Sequence, residues 1–143
     1  MTDRELALRA WESLFRAQHE LFHAMASDFD DTPITQDEYD VLLTVVRAPK
    51  MTARLRDVTA NLLISQPSVS RLVDRMVARE LVTKSVDPED GRGALITATD
   101  AGARAFRQIA TSHGRSIAEK MSPLDDTELS QLLTLTEKLR HGN

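Results

Sequence analysis

The sequence predicts a mostly α-helical chain carrying one small β-hairpin, in the order ααααββαα. Three observations carry that expectation. Apolar residues recur at helical spacing along most of the 143 residues. Capping signals open individual helices. Two runs rich in Val, Thr, Leu and Ile, Leu81 to Val86 and Ala94 to Ala98, flank a charged turn segment, which is the pattern of a hairpin.

Taken in order, Ala7, Trp11, Leu14, Phe15, Leu21, Phe22, Met25 and Phe29 predict one long amphipathic helix from Leu6 to Phe29, broken by Asp30-Asp31-Thr32-Pro33. Thr35 with Glu38 forms a capping box for a second helix reaching Val46, and Ala48-Pro49-Lys50 ends it. A short helix fits Leu55 to Leu62, and Ser65 caps the next, with Pro67 tolerated in a first turn whose N–H groups lack intrahelical partners. Val69, Leu72, Val73, Met76 and Val77 share one face of that helix, leaving Gln66, Ser68, Ser70, Arg71, Asp74, Arg75 and Arg79 outside or at the border. The hairpin turns through Asp87-Pro88-Glu89-Asp90-Gly91-Arg92-Gly93. Thr99-Asp100 caps a long helix to about Met121, and Asp125 with Glu128 caps a last one carrying Leu129, Leu132, Leu133, Thr136 and Leu139.

Composition narrows the function. Length and the absence of repeats or linkers favour a single domain over residues 1–143. No cysteine is present, which removes disulfides, thiolate-ligated zinc, thiol catalysis and thiol redox sensing. No apolar run is long enough to span a membrane and the start lacks a signal-sequence pattern, so the expected location is the cytoplasm, without a membrane partner. There is no Gly-rich phosphate loop, nucleophile elbow or His-Glu-x-x-His, so neither an enzyme nor a cofactor is called for.

The net charge of −4 is uneven. Nine basic residues between Arg47 and Arg92 face six acids, leaving nine against sixteen in the rest of the chain. A basic middle between acidic ends suits one surface that meets a polyanion. A helix-turn-helix followed by a hairpin is in turn a physical solution to reading double-stranded DNA, because a helix fits the major groove while a wing reaches the adjacent minor groove. The expected fold is therefore a winged helix-turn-helix. Arg71 and Arg75 can reach guanine edges or phosphates, Gln66 can pair with adenine, Ser68 and Ser70 can bond phosphates or bases, and Ser65 sits at a helix N-terminus suited to phosphate. Arg92 at the wing tip suits a narrow minor groove, with Asp90 shaping the turn. Arg54 and Lys84 of the basic middle complete the candidate DNA-binding set.

The stretch Ser65-Gln66-Pro67-Ser68-Val69-Ser70-Arg71-Leu72-Val73-Asp74-Arg75-Met76, then Leu81-Val82, the turn from Asp87 to Gly93, and Thr99-Asp100-Ala101-Gly102 closely resembles the MarR family of bacterial transcriptional regulators. The resemblance extends over nearly the whole chain. It implies a homodimer whose terminal helices, about 4–29 and 100–141, form the dimerisation region around a DNA-binding core of about 52–99. It also implies a repressor on a pseudo-palindromic operator, often released by a small aromatic or phenolic effector. By the same resemblance, Trp11, Arg16, His19, Tyr39 and Arg115 are candidate effector-binding residues. Three positions depart from the family pattern: Glu80 stands where a glycine usually ends the recognition helix, Gly91 where an arginine is frequent, and Ala98 where leucine is usual. The long apolar stripes of the terminal helices independently favour a dimer, since a chain of this size struggles to bury them alone.

Two other readings have sequence support. His19 and His23, one turn apart beside Glu12, have the spacing of a metal pair, which would suit a metal-responsive regulator. A winged helix can also serve as a protein-docking module, but its outer face should then be apolar or acidic, whereas residues 66–79 present a polar, basic one. Gln18 and His113 lie mid-stripe on their helices and need polar partners there.

Overall fold

The computed structural model describes residues 3–62 and 64–142. Among these described residues six α-helices and three short strands follow one another: α1 Arg4–Ala24, α2 Gln36–Arg47, β1 Thr52–Arg54, α3 Leu55–Asn61, α4 Gln66–Ala78, β2 Val82–Val86, β3 Ala94–Ala98, α5 Asp100–Met121 and α6 Asp126–His141. The expected mostly helical architecture with a hairpin is present, and the capping signals act as read. Thr35 and Glu38 close a reciprocal box on α2, Ser65 accepts the Ser68 N–H at the start of α4, and Asp125 and Glu128 close the box on α6.

Two elements differ from the sequence expectation. The first helix stops at Ala24, and Ala26–Phe29 tightens into a 3-10 turn. Phe29 thereby joins the hydrophobic core and meets the Tyr39 ring edge-on at 5.4 Å instead of extending the α1 stripe. The strand β1 was not anticipated. It follows a 3-10 turn, Pro49–Met51, in which Lys50 and Met51 are left-handed. It pairs antiparallel with β3 (Thr52 with Thr97, Ala53 with Ile96, Arg54 with Leu95), giving a three-stranded sheet in the order β1-β3-β2.

The chain divides into two compact units: Met1–Met25 with His113–Asn143, and Ala26–Ser112. The second contains the main core. Val41, Leu42 and Val45 of α2, Val58 of α3, Val69, Leu72, Val73 and Met76 of α4, Val82 and Ile96 of the sheet, and Ile109 of α5 are all buried in it. Val77, expected on the inner face of α4, is exposed because it lies at the edge of that helical stripe. In the first unit the described part of α1 and all of α6 bury no residue; Leu6, Leu8, Trp11, Phe15, Leu133, Leu135 and Leu139 are exposed. His113 is buried, whereas Gln18 is exposed. No helix among the described residues is long and apolar enough to cross a membrane.

Candidate nucleic-acid interface

The outer face of α4 is built by its N-terminal cap. The Ser65 oxygen accepts the Ser68 N–H, its hydroxyl donates to Ser68 Oγ at 2.8 Å, and Arg71 Nη2 donates to the same oxygen at 3.3 Å. Ser65, Ser68 and Arg71 thus form one polar run along the first turns of the helix, with Gln66 and Arg75 exposed beside it. Four buried apolar residues on the opposite face, Val69, Leu72, Val73 and Met76, hold this face outward.

The far end of α4 is fixed twice. Glu80 is left-handed (φ 62°), and the Leu81 and Glu80 N–H groups donate back to the carbonyls of Met76 and Val77, each at 3.0 Å. This pair of bonds is a Schellman closure with glutamate at the residue that glycine usually fills. Arg79, placed by sequence at the border of the DNA-facing surface, turns the other way and pairs with buried Glu38.

The wing is braced at its turn. The Asp87 N–H donates to the Gly93 carbonyl, the Gly93 N–H to the Asp90 carbonyl, and Asp90 Oδ1 accepts the Arg92 N–H at 3.1 Å. Asp90 therefore shapes the turn and leaves the Arg92 side chain exposed at the tip. Thr99 ties the base of the wing to α4 and α5. Its N–H and hydroxyl meet the Leu81 carbonyl, each at 3.1 Å, its hydroxyl also approaches the Glu80 carbonyl, and its oxygen accepts the Gly102 N–H at 3.0 Å.

Between α3, α4 and the wing lies an open groove of about 860 Å³. Gln66 and Ser70 line it from α4, Lys84 and Arg92 from the hairpin, and Arg54 and Arg56 from the β1–α3 junction. The guanidinium groups of Arg56, Arg75 and Arg92 make no ion pair among the described residues. Lys84 reaches Asp74 at 3.4 Å, and Arg54 is held by Asp87 and Glu89. Arg56 is the lining cation that did not enter the candidate set. Its only sequence signal is membership of the basic middle, because its place in the groove depends on β1 turning the chain into α3.

The effector-binding candidates do not share one setting. Tyr39 is a core residue, stacked on Phe106 at 4.9 Å, and its hydroxyl pKa is raised above 10.0, chiefly because burial disfavours the charged phenolate. Trp11, Arg16 and His19 are exposed on α1, and Arg115 is exposed on α5. Arg16 pairs with Glu12 at 3.0 Å. Trp11, Phe15, His19 and His23 form a ladder of rings one turn apart, with centroids 5.9, 6.4 and 4.3 Å from one to the next. No group of three or more His, Asp or Glu among the described residues is arranged to hold a metal ion.

Residues 31–93 match the family model described as the MarR family. Along the sequence, the chain is 27% identical over 131 residues to an uncharacterized HTH-type transcriptional regulator, YkoM of Bacillus subtilis, covering 91% of this chain and 79% of that one. In fold it matches Sco3205, a MarR family transcriptional regulator of Streptomyces coelicolor solved in complex with DNA. That match has a TM-score of 0.80 at 20% identity, over 99% of this chain and 90% of that one. It also matches BpsR of Bordetella bronchiseptica, whose structure concerns regulation of its DNA binding by 6-hydroxynicotinic acid. Here the TM-score is 0.76 at 23% identity, over 92% and 93% of the two chains. At these identities the structural likeness speaks to the fold. Residues 31–93 thus match the MarR family in sequence, and the fold of the chain is shared along nearly its full length with solved MarR family regulators.

Proposed function

We propose that the protein is a cytoplasmic, homodimeric repressor that reads a pseudo-palindromic operator, with the outer face of α4 in the major groove and Arg92 in the minor groove. The observation that carries this reading is the groove between α4 and the wing, where Gln66, Ser70, Arg56 and Arg92 converge. The exposed face of α4 is polar and basic, as suits a surface that meets DNA, whereas the same face of a protein-docking module should be apolar or acidic. The exposed leucines and aromatic residues of α1 and α6 support dimerisation through the terminal helices: stripes of this size are normally covered.

The test is equilibrium binding to duplexes that the parent protein selects from fragmented genomic DNA. Arg71→Ala and Arg92→Ala are each expected to weaken binding, by about 1–3 kcal/mol where the arginine reads a base. A base-reading arginine also relaxes sequence preference, whereas a phosphate contact weakens all sequences alike. If both variants bind the selected duplex as tightly as the parent at equal salt, the site assignment is wrong. Sedimentation at micromolar concentration tests the dimer, which a folded monomer would rule out.

Release by a small aromatic or phenolic effector is part of the proposal, supported by the exposed Trp11–Phe15–His19 ladder on α1, the helix that also carries Arg16. A cation next to aromatic faces suits a planar carboxylate. Among the candidates Trp11, Arg16, His19, Tyr39 and Arg115, Tyr39 already serves the core. Titration of the protein–DNA complex with hydroxylated aromatic acids, in parent and Arg16→Ala protein, tests this part on its own.

A further inference from the structure

Arg54, at the end of β1, is held by two carboxylates of different character. Asp87 is buried, its side chain 5% exposed, and its Oδ2 lies 3.2 Å from Arg54 Nε. Its other oxygen accepts the Glu89 N–H at 2.9 Å. That carboxylate is fixed by the turn and has nowhere to go. Glu89 lies two residues further into the turn with its side chain 77% exposed, and its carboxylate is held by Arg54 Nη2 at 2.5 Å. An exposed pair of this kind is weak, screened by salt and readily exchanged.

Arg54 also lines the groove together with Arg56, Gln66, Ser70 and Arg92. A guanidinium carries five N–H donors in a planar fork, so the edge that meets Glu89 has the geometry that recognises a phosphate. With both carboxylates in place, however, the Arg54 cluster is net negative and faces a polyanion with the wrong sign.

We propose that Glu89 is a stand-in for a DNA phosphate on Arg54, and that duplex binding exchanges the Glu89 carboxylate for a phosphate oxygen while the Asp87 pair stays in place. The inference rests on the DNA-binding reading above and adds a residue that opposes binding. Arg54 then has two roles: its Nε edge holds the wing on buried Asp87, and its Nη edge is a phosphate contact made only when Glu89 leaves. Because a phosphate contact carries no base identity, Glu89 restrains affinity for every sequence alike.

The experiment compares the full chain with Glu89→Gln, which keeps the shape and removes the charge. Asp31→Asn, exposed ahead of α2 and outside both the groove and the terminal helices, is the control for net charge. Binding is measured on one selected duplex and one mixed-sequence duplex at low salt. Glu89→Gln is expected to bind both duplexes more tightly by a similar factor, about threefold to tenfold, while the control stays within about twofold of the parent. Adding Arg54→Gln to Glu89→Gln is expected to abolish the gain, with circular dichroism verifying the fold. A gain that survives without Arg54 overturns the exchange, as does Glu89→Gln binding like the control. In both cases parent binding leaves the DNA reading standing. Failure of the parent to bind any duplex at low salt overturns both.

Discussion

Arg79, which caps the C-terminus of α4, closes on the buried carboxylate of Glu38 in the first turn of α2, with Nη1 at 2.7 Å from Oε1 and 2.5 Å from Oε2. Its Nη2 donates to the Pro33 carbonyl, and Glu38 Oε1 also accepts the Thr35 N–H at 2.9 Å. One carboxylate therefore completes the capping box of α2 and anchors the C-terminal end of α4. Arg79→Ala leaves Glu38 buried without its counter-charge, and urea unfolding should show a loss of about 1–3 kcal/mol. Arg79→Lys should recover only part of it, because an ammonium lacks the fork that serves Glu38 and Pro33 together.

Glu80 occupies the left-handed closure of α4, where a side chain costs about 1 kcal/mol relative to glycine. Glu80→Gly is expected to raise stability by about that amount, seen as a Tm increase of a few degrees in a thermal melt. Glu80→Val should lower it, since β-branching is least tolerated at positive φ. A Glu80→Gly protein less stable than its parent would refute the strain argument.

Gly102 and Gly114 lie on the same helix and should respond oppositely to alanine. A Cβ on Gly102 would stand 2.0 Å from the Leu81 carbonyl oxygen, where Thr99 joins the wing to α5, and backbone must move to admit it. Overpacking of this kind costs about 1–3 kcal/mol. At Gly114 a Cβ meets nothing within 4 Å, so Gly114→Ala should stabilise by about 0.5–1 kcal/mol through helix propensity. Chemical denaturation of the two variants side by side checks both signs.

Tyr39 is the single tyrosine of the chain, so its ionisation can be followed alone by ultraviolet absorbance. Desolvation raises its pKa above 10.0 in the folded state, with the Arg47 charge opposing and Asp40 reinforcing. Its contribution is fully present below pH 10 and is lost as pH rises through the folded value. The titration midpoint should lie above 10 in native protein and return to about 10 in denaturant. Tyr39→Phe should flatten the alkaline fall in stability.

Local signals told most of the secondary structure. Thr35 with Glu38, Ser65 before Pro67, and Asp125 with Glu128 each act within four residues, so their caps were readable before any packing was known. The hairpin was readable for the same reason, its strands being rich in β-formers and its turn in Asp, Pro and Gly. The three-residue strand β1 was not, because it exists only by pairing with β3 more than forty residues later.

For the candidate interface, the sequence by itself determined which residues α4 turns outward: a fixed 3.6-residue period leaves Gln66, Ser70, Arg71 and Arg75 opposite the apolar stripe. It also determined that Asp90 and Arg92 share one turn. Only the tertiary structure decided what each cation does. Arg79 is taken up by Glu38, Arg54 by Asp87 and Glu89, and Arg56 enters the groove beside Arg92. The reason is physical: a guanidinium pairs with whichever carboxylate the fold brings within reach, and those partners lie tens of residues away along the chain, where no local pattern records them.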